Sequence, residues 1–92
     1  MYLLRSTKAY RKAFKRISRH KDFNRNVFDS IIDTLLIGDT LSSRYKDHQL
    51  IGNFKEYREC HISGDMLLMY QKHDDVLILL LVDIGSHSEL FE

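Results

Sequence analysis

The chain has 92 residues, enough for a single domain over positions 1–92 with a modest core and too few for two. Apolar residues make up 43% and charged residues 29%, an ordinary globular composition that excludes intrinsic disorder. Net charge is only +1, yet nine of the 14 Lys and Arg residues (Arg5, Lys8, Arg11, Lys12, Lys15, Arg16, Arg19, Lys21 and Arg25) precede position 26, against one acid, Asp22. A block of that density either solvates a helix face or meets a polyanion such as nucleic acid.

In chain order, residues 2–6 read as a short strand leading into a helix that starts near Thr7. Tyr10, Phe14 and Ile17 recur at i, i+4 and i+7, one apolar stripe with cations around the rest. Asp22 or Asn24 can cap a second helix, in which Val27, Phe28, Ile31, Ile32, Leu35 and Leu36 form a sharper amphipathic pattern. A break follows over residues 38–43. Residues 56–62 alternate loosely and end at the turn signal Ser63-Gly64. Residues 66–72 and 76–82 are two more strands around a tight loop at His73-Asp74-Asp75. The last run is apolar throughout, as in a central strand covered on both faces; periodicity alone also allows a buried helix. The expected fold is α+β: an N-terminal strand, two helices, then an antiparallel β-meander, with the helices on one face of a twisted sheet and the other face open as a cleft.

The start of the chain lacks a secretory leader, and the longest apolar run is far shorter than a membrane span. Cys60, the single cysteine, cannot form an internal disulfide. The expectation is a cytoplasmic protein with no membrane partner. Four of the five histidines lie between positions 48 and 87. His48, His61 and His87, with Asp65 four residues after His61, can converge at one end of a meander. His73 falls in a hairpin loop and points to solvent. The spacing of these residues matches no compact metal signature, so no metal and no cofactor are expected. Cys60 adjoins His61, and neighbours on a strand face opposite ways, so Cys60 reads as a buried structural thiol.

The stretches Asp47-His48-Gln49-Leu50-Ile51-Gly52, Tyr57-Arg58-Glu59-Cys60-His61, Asp65-Met66-Leu67-Leu68-Met69-Tyr70 and Gly85-Ser86-His87-Ser88-Glu89-Leu90-Phe91 resemble the YafQ branch of the RelE/ParE toxin superfamily, in order and at matching separations. The resemblance implies the RelE-like α+β fold and a type II toxin that cuts mRNA in the ribosomal A site. It implies metal-independent acid/base chemistry, with the RNA's own 2′-OH attacking the adjacent phosphate. Carried over by position, the functional residues are His48, His61, Asp65, His87 and Phe91. His87 is the expected acid, His61 or Asp65 the base, His48 an aid to phosphate binding or proton transfer, and Phe91 a base-stacking ring. Lys46, Lys55 and Arg58 are candidate phosphate contacts, although strand parity turns Arg58 away from His61. Lys12, Lys15 and Arg16 are expected to dock on ribosomal RNA. The implied partners are ribosome-bound mRNA and a DinJ-like antitoxin protein.

Two positions depart from the family pattern. Met66 stands where relatives often carry Trp, and Asp83 where they often carry Arg. A carboxylate in place of a cation predicts weaker stabilisation of the scissile phosphate and favours a protonated His87. Two alternatives follow: a ParE-like gyrase inhibitor without nuclease chemistry, or a catalytically weak interaction protein.

Overall fold

The computed structural model describes residues 1–91. Strand β1 (Leu3–Ser6) leads through Thr7 into helix α1 (Lys8–Ile17). The Thr7 hydroxyl accepts from the Tyr10 N–H (3.0 Å) and donates to the Val82 carbonyl (2.6 Å), so one side chain caps α1 and ties it to the last strand. Helix α2 (Arg25–Leu36) is capped by Asn24, which accepts from the Val27 N–H at 3.1 Å; of the two candidate caps, Asn24 holds the position.

Beyond α2 the chain makes a 3-10 turn at Ser43–Tyr45, a two-residue strand β2 (His48–Gln49) and a second 3-10 turn at Gly52–Phe54. Strands β3 (Arg58–Ser63), β4 (Met66–His73) and β5 (Ile78–Ser86) form the expected antiparallel meander, and a short helix α3 (His87–Phe91) follows. The five strands run in the order β1-β5-β4-β3-β2, with β1 parallel to β5 and the other pairings antiparallel.

The structure differs from the expected fold in three respects. Val76 and Leu77 belong to the β4–β5 turn, 58% and 49% exposed, and β5 starts at Ile78 and continues through the polar Asp83 to Ser86. Although β5 is apolar at successive positions from Ile78 to Val82, only Leu79 and Leu81 of that run face the main core, joined further along by Ile84; Leu80 and Val82 are half-buried on the other side. The third concerns β2 and α3, both of them too short to leave a periodic signal.

The core lies between α1, α2 and one face of the sheet. Tyr10 and Ile17 of α1 and Phe28, Ile31, Ile32 and Leu35 of α2 pack on Cys60, Ile62, Leu68, Tyr70, Leu79, Leu81 and Ile84. Phe14 knits the helices together, its ring centroid 5.6 Å from Tyr10 and 5.2 Å from Phe28. Alternation along the strands puts Glu59, His61, Leu67 and Met69 on the opposite face. That face carries the site.

Candidate active site

Glu59 and His61 stand two residues apart on β3, so the pleat turns both to the face away from α1 and α2. His48 lies directly opposite Glu59 in the β2–β3 register and therefore shares that face. Its Nε2 is 3.2 Å from Glu59 Oε1, and His61 Nε2 is 4.0 Å from the same oxygen. The two imidazole centroids are 6.4 Å apart, with the carboxylate between them.

Exposure separates the roles these side chains can play. The Glu59 side chain is 8% exposed, against 47% for His48 and 33% for His61. Glu59 Oε2 is buried and meets no hydrogen-bond partner among the described residues. His48 Nδ1 donates to the Lys46 carbonyl at 2.6 Å, which leaves Nε2 as the nitrogen facing Glu59. His48 is thus tethered through one ring nitrogen and turns the other towards a buried carboxylate.

The segment that presents His48 is pinned from behind. Lys46 adopts φ 51°, turning its carbonyl onto the imidazole, and Asp47 accepts from Arg58 (3.1 Å) and from the Tyr70 hydroxyl. Burial, aided by the Asp47 charge, pushes the Tyr70 hydroxyl above its ordinary pKa and keeps it a donor. Arg58 is thus engaged with Asp47 on the far side of β3 from His61. Together with Lys55 it lines a groove shared with Asp39, Asp47 and Lys72, separate from the histidine pocket. Lys46 lends the pocket its backbone carbonyl while its side chain is exposed.

His87 opens α3 and is exposed, its ring 5.0 Å from that of Phe91. Phe91 meets Phe54 edge to face at 5.3 Å. One pocket is lined by His48, Leu50, Ile51, Phe54, Glu59, His87 and Phe91. Asp65 is elsewhere: it sits exposed in the β3–β4 turn and lines a groove with Arg16, Ser63, Ser86 and Glu89. Lys12 and Lys15 are exposed on α1, whereas Arg16 donates to Glu89 Oε2 at 2.6 Å. His73 is exposed and contacts Gln71. Cys60 is fully buried on the helix side of β3, and burial pushes its thiol up to about 12, which removes it as a nucleophile. Among the described residues, no group of three or more His, Cys, Asp or Glu side chains is arranged to hold a metal ion.

Glu59, Phe54, Leu50 and Ile51 are the pocket residues that were not among the sequence candidates. Glu59 had a readable signal: the parity that turns Cys60 away from His61 turns Glu59 towards it. Phe54 had none, because it lies in an irregular segment. Asp83 shares the site face, since Glu59 lies opposite Met69 and Met69 opposite Asp83 across β3, β4 and β5. A register shift at Met69/Tyr70 leaves Val82 as an extra residue and brings Asp83 to that position.

A family model described as a bacterial toxin of type II toxin-antitoxin system, YafQ, matches residues 2–92. The mRNA interferase toxin YafQ of Escherichia coli (strain K12) is 40% identical over 75 residues, covering 79% of this chain and 76% of the relative. Among solved structures, a metal-bound toxin from Helicobacter pylori superposes with a TM-score of 0.89 at 36% identity, covering 99% of this chain and 100% of that one. The toxin chain of the E. coli DinJ-YafQ complex superposes with a TM-score of 0.85 at 29% identity, with 100% of each chain covered.

Proposed function

The chain belongs to the YafQ family of bacterial type II toxins, and from that premise we propose that it cleaves ribosome-bound mRNA with the histidine pocket on the open face of its sheet. It is an endoribonuclease, an mRNA interferase. The observation that carries the mechanism is the buried Glu59 carboxylate between His48 and His61, with Glu59 and His48 lining one pocket together with His87 and Phe91.

The 2′-OH of the RNA attacks the adjacent phosphorus, the bond to the 5′-oxygen breaks, and the phosphate ends as a 2′,3′-cyclic ester. One proton must leave the 2′-oxygen and one must reach the departing 5′-oxygen. His61 takes the first, because both His48 nitrogens are already engaged and Glu59 is too buried to reach RNA. Glu59 acts through His61, stabilising the imidazolium that forms, as a buried carboxylate does behind a catalytic histidine. His48, in its protonated form, offsets charge on the phosphate. His87 delivers the second proton, and Phe91 supports a nucleobase beside it. Asp65, in its own groove, leaves the base role to His61.

The relatives' names and this pocket favour the nuclease over a gyrase-binding module. The expected partners are mRNA on the ribosome, ribosomal RNA against Lys12 and Lys15, and an antitoxin related to DinJ, the partner in the E. coli complex. No described helix is long and apolar enough to cross a membrane, in keeping with a cytoplasmic setting. In a translating extract, His61→Ala and His87→Ala are each expected to lower mRNA cleavage at least about a hundredfold, and Glu59→Gln by about tenfold or more. Full activity in both histidine variants would overturn the assignment.

A further inference from the structure

Helix α3 carries His87 and Phe91, yet it has five residues and none of them is buried. A helix that short does not hold itself together, so its tethers decide where the two side chains sit. Ser86 and Glu89 form a reciprocal cap: Glu89 Oε1 accepts from the Ser86 N–H (2.8 Å), and the Ser86 hydroxyl accepts from the Glu89 N–H (3.2 Å). The other carboxylate oxygen, Oε2, takes the Arg16 guanidinium at 2.6 Å. Gly85 makes room for this arrangement, since a Cβ there would stand 2.9 Å from Glu89 Oε1 and 3.3 Å from Glu89 Cβ. Arg16 lies in the last turn of α1, which Thr7 ties to β5.

We propose that Arg16 and Glu89, with Gly85 and Ser86, form a latch that locks α3 onto α1 and thereby positions His87 and Phe91, so that Arg16 serves the cleavage step rather than docking. The inference rests on the nuclease reading for its kinetic consequence and on the geometry alone for its structural one. The carboxylate divides its two oxygens between the cap and the cation, so losing either partner frees α3 to pivot about the end of β5. An acid that must protonate one particular oxygen suffers from a displacement of an ångström, and turnover falls while substrate binding stays.

The test compares Arg16→Ala, Arg16→Lys, Glu89→Ala and Gly85→Ala with the wild type on programmed ribosomes. Alongside cleavage, the His87 and Phe91 ring signals are followed by NMR in the free protein. The expected result is a drop of about tenfold in kcat with KM unchanged for Arg16→Ala, Glu89→Ala and Gly85→Ala, and substantial recovery in Arg16→Lys. The double variant Arg16→Ala/Glu89→Ala should be no worse than Glu89→Ala alone. The ring signals should move in the three impaired variants and return towards their wild-type positions in Arg16→Lys. Unmoved rings in Arg16→Ala would overturn the latch, as would full kcat with raised KM, the pattern of a docking residue. A wild-type protein that cuts no RNA sinks the nuclease reading instead, and the ring signals still decide the latch.

Discussion

A buried acceptor without a partner costs roughly 1–3 kcal/mol, so an orphan oxygen such as Glu59 Oε2 calls for a reason to be kept. Two imidazoles on its other oxygen supply one: low surrounding polarity makes the carboxylate a stronger partner for a histidine that becomes charged during reaction. Asp83 is the opposite case at the same scale. It lies in the cross-strand row of Glu59 and Met69 and, on the proposed mechanism, adds negative charge near the phosphate. Asp83→Arg is expected to raise the single-turnover cleavage rate about tenfold, and an unchanged rate would place Asp83 outside the chemistry. Parity made Glu59 readable from sequence, since it needs only the residue count back from His61. Asp83 was a known departure, but its face was not legible, because one extra residue at Val82 reverses parity and nothing local encodes that bulge.

Among the elements, α3 and the β4–β5 turn are where local structure is held by few contacts. The Ser86 backbone N–H, with Arg16 adding to it, holds the Glu89 carboxyl below the ordinary carboxylate range. A group depressed in the folded state contributes stability that is complete above its unfolded value, near ~4.3 for Glu, and is lost as pH falls through the folded value. The Phe91 and His87 signals should therefore shift together in a transition below about pH 4, absent in Glu89→Gln. At the turn, Leu77 takes φ 54° while half exposed, a conformation that disfavours a side chain with a Cβ. Leu77→Gly is expected to raise unfolding stability by up to about 1 kcal/mol in a denaturant titration; a loss of that size would mean that its contacts outweigh the strain. The two long helices and four of the five strands were legible in the sequence, through apolar patterning, caps and turn signals. β2, two residues long, and α3, barely more than one turn, are set by pairing and tethering.

For the molecule as a whole, the charge asymmetry seen in sequence becomes a separation in space. Lys12 and Lys15 project from α1, which covers one face of the sheet, while the histidine pocket opens on the other. A protein bound through α1 thus keeps the face that carries His48 and Glu59 free. Reversing Lys12 and Lys15 to Glu should weaken ribosome binding and flatten its dependence on salt, by about one unit of log–log slope per lost phosphate contact, with the thermal midpoint little changed. Unaltered binding at moderate salt would return these lysines to solvation alone. The parallel seating of β1 on β5 was the part of the topology least available to sequence reasoning, since it joins segments more than seventy positions apart and follows from closing the sheet.

That pairing also sets an order of assembly. Among the described strands β1 is the earliest in the chain and pairs with β5, the latest, so Leu3 waits for Ile78 before it has a partner. The residues that follow Ile78 include His87 and Phe91, and a synthesis product stopped before β5 lacks both the sheet's closing strand and the proposed acid. Closing the sheet and adding His87 and Phe91 therefore fall together, late in the synthesis of the described residues, so a nascent chain without its candidate site is also one without its full sheet.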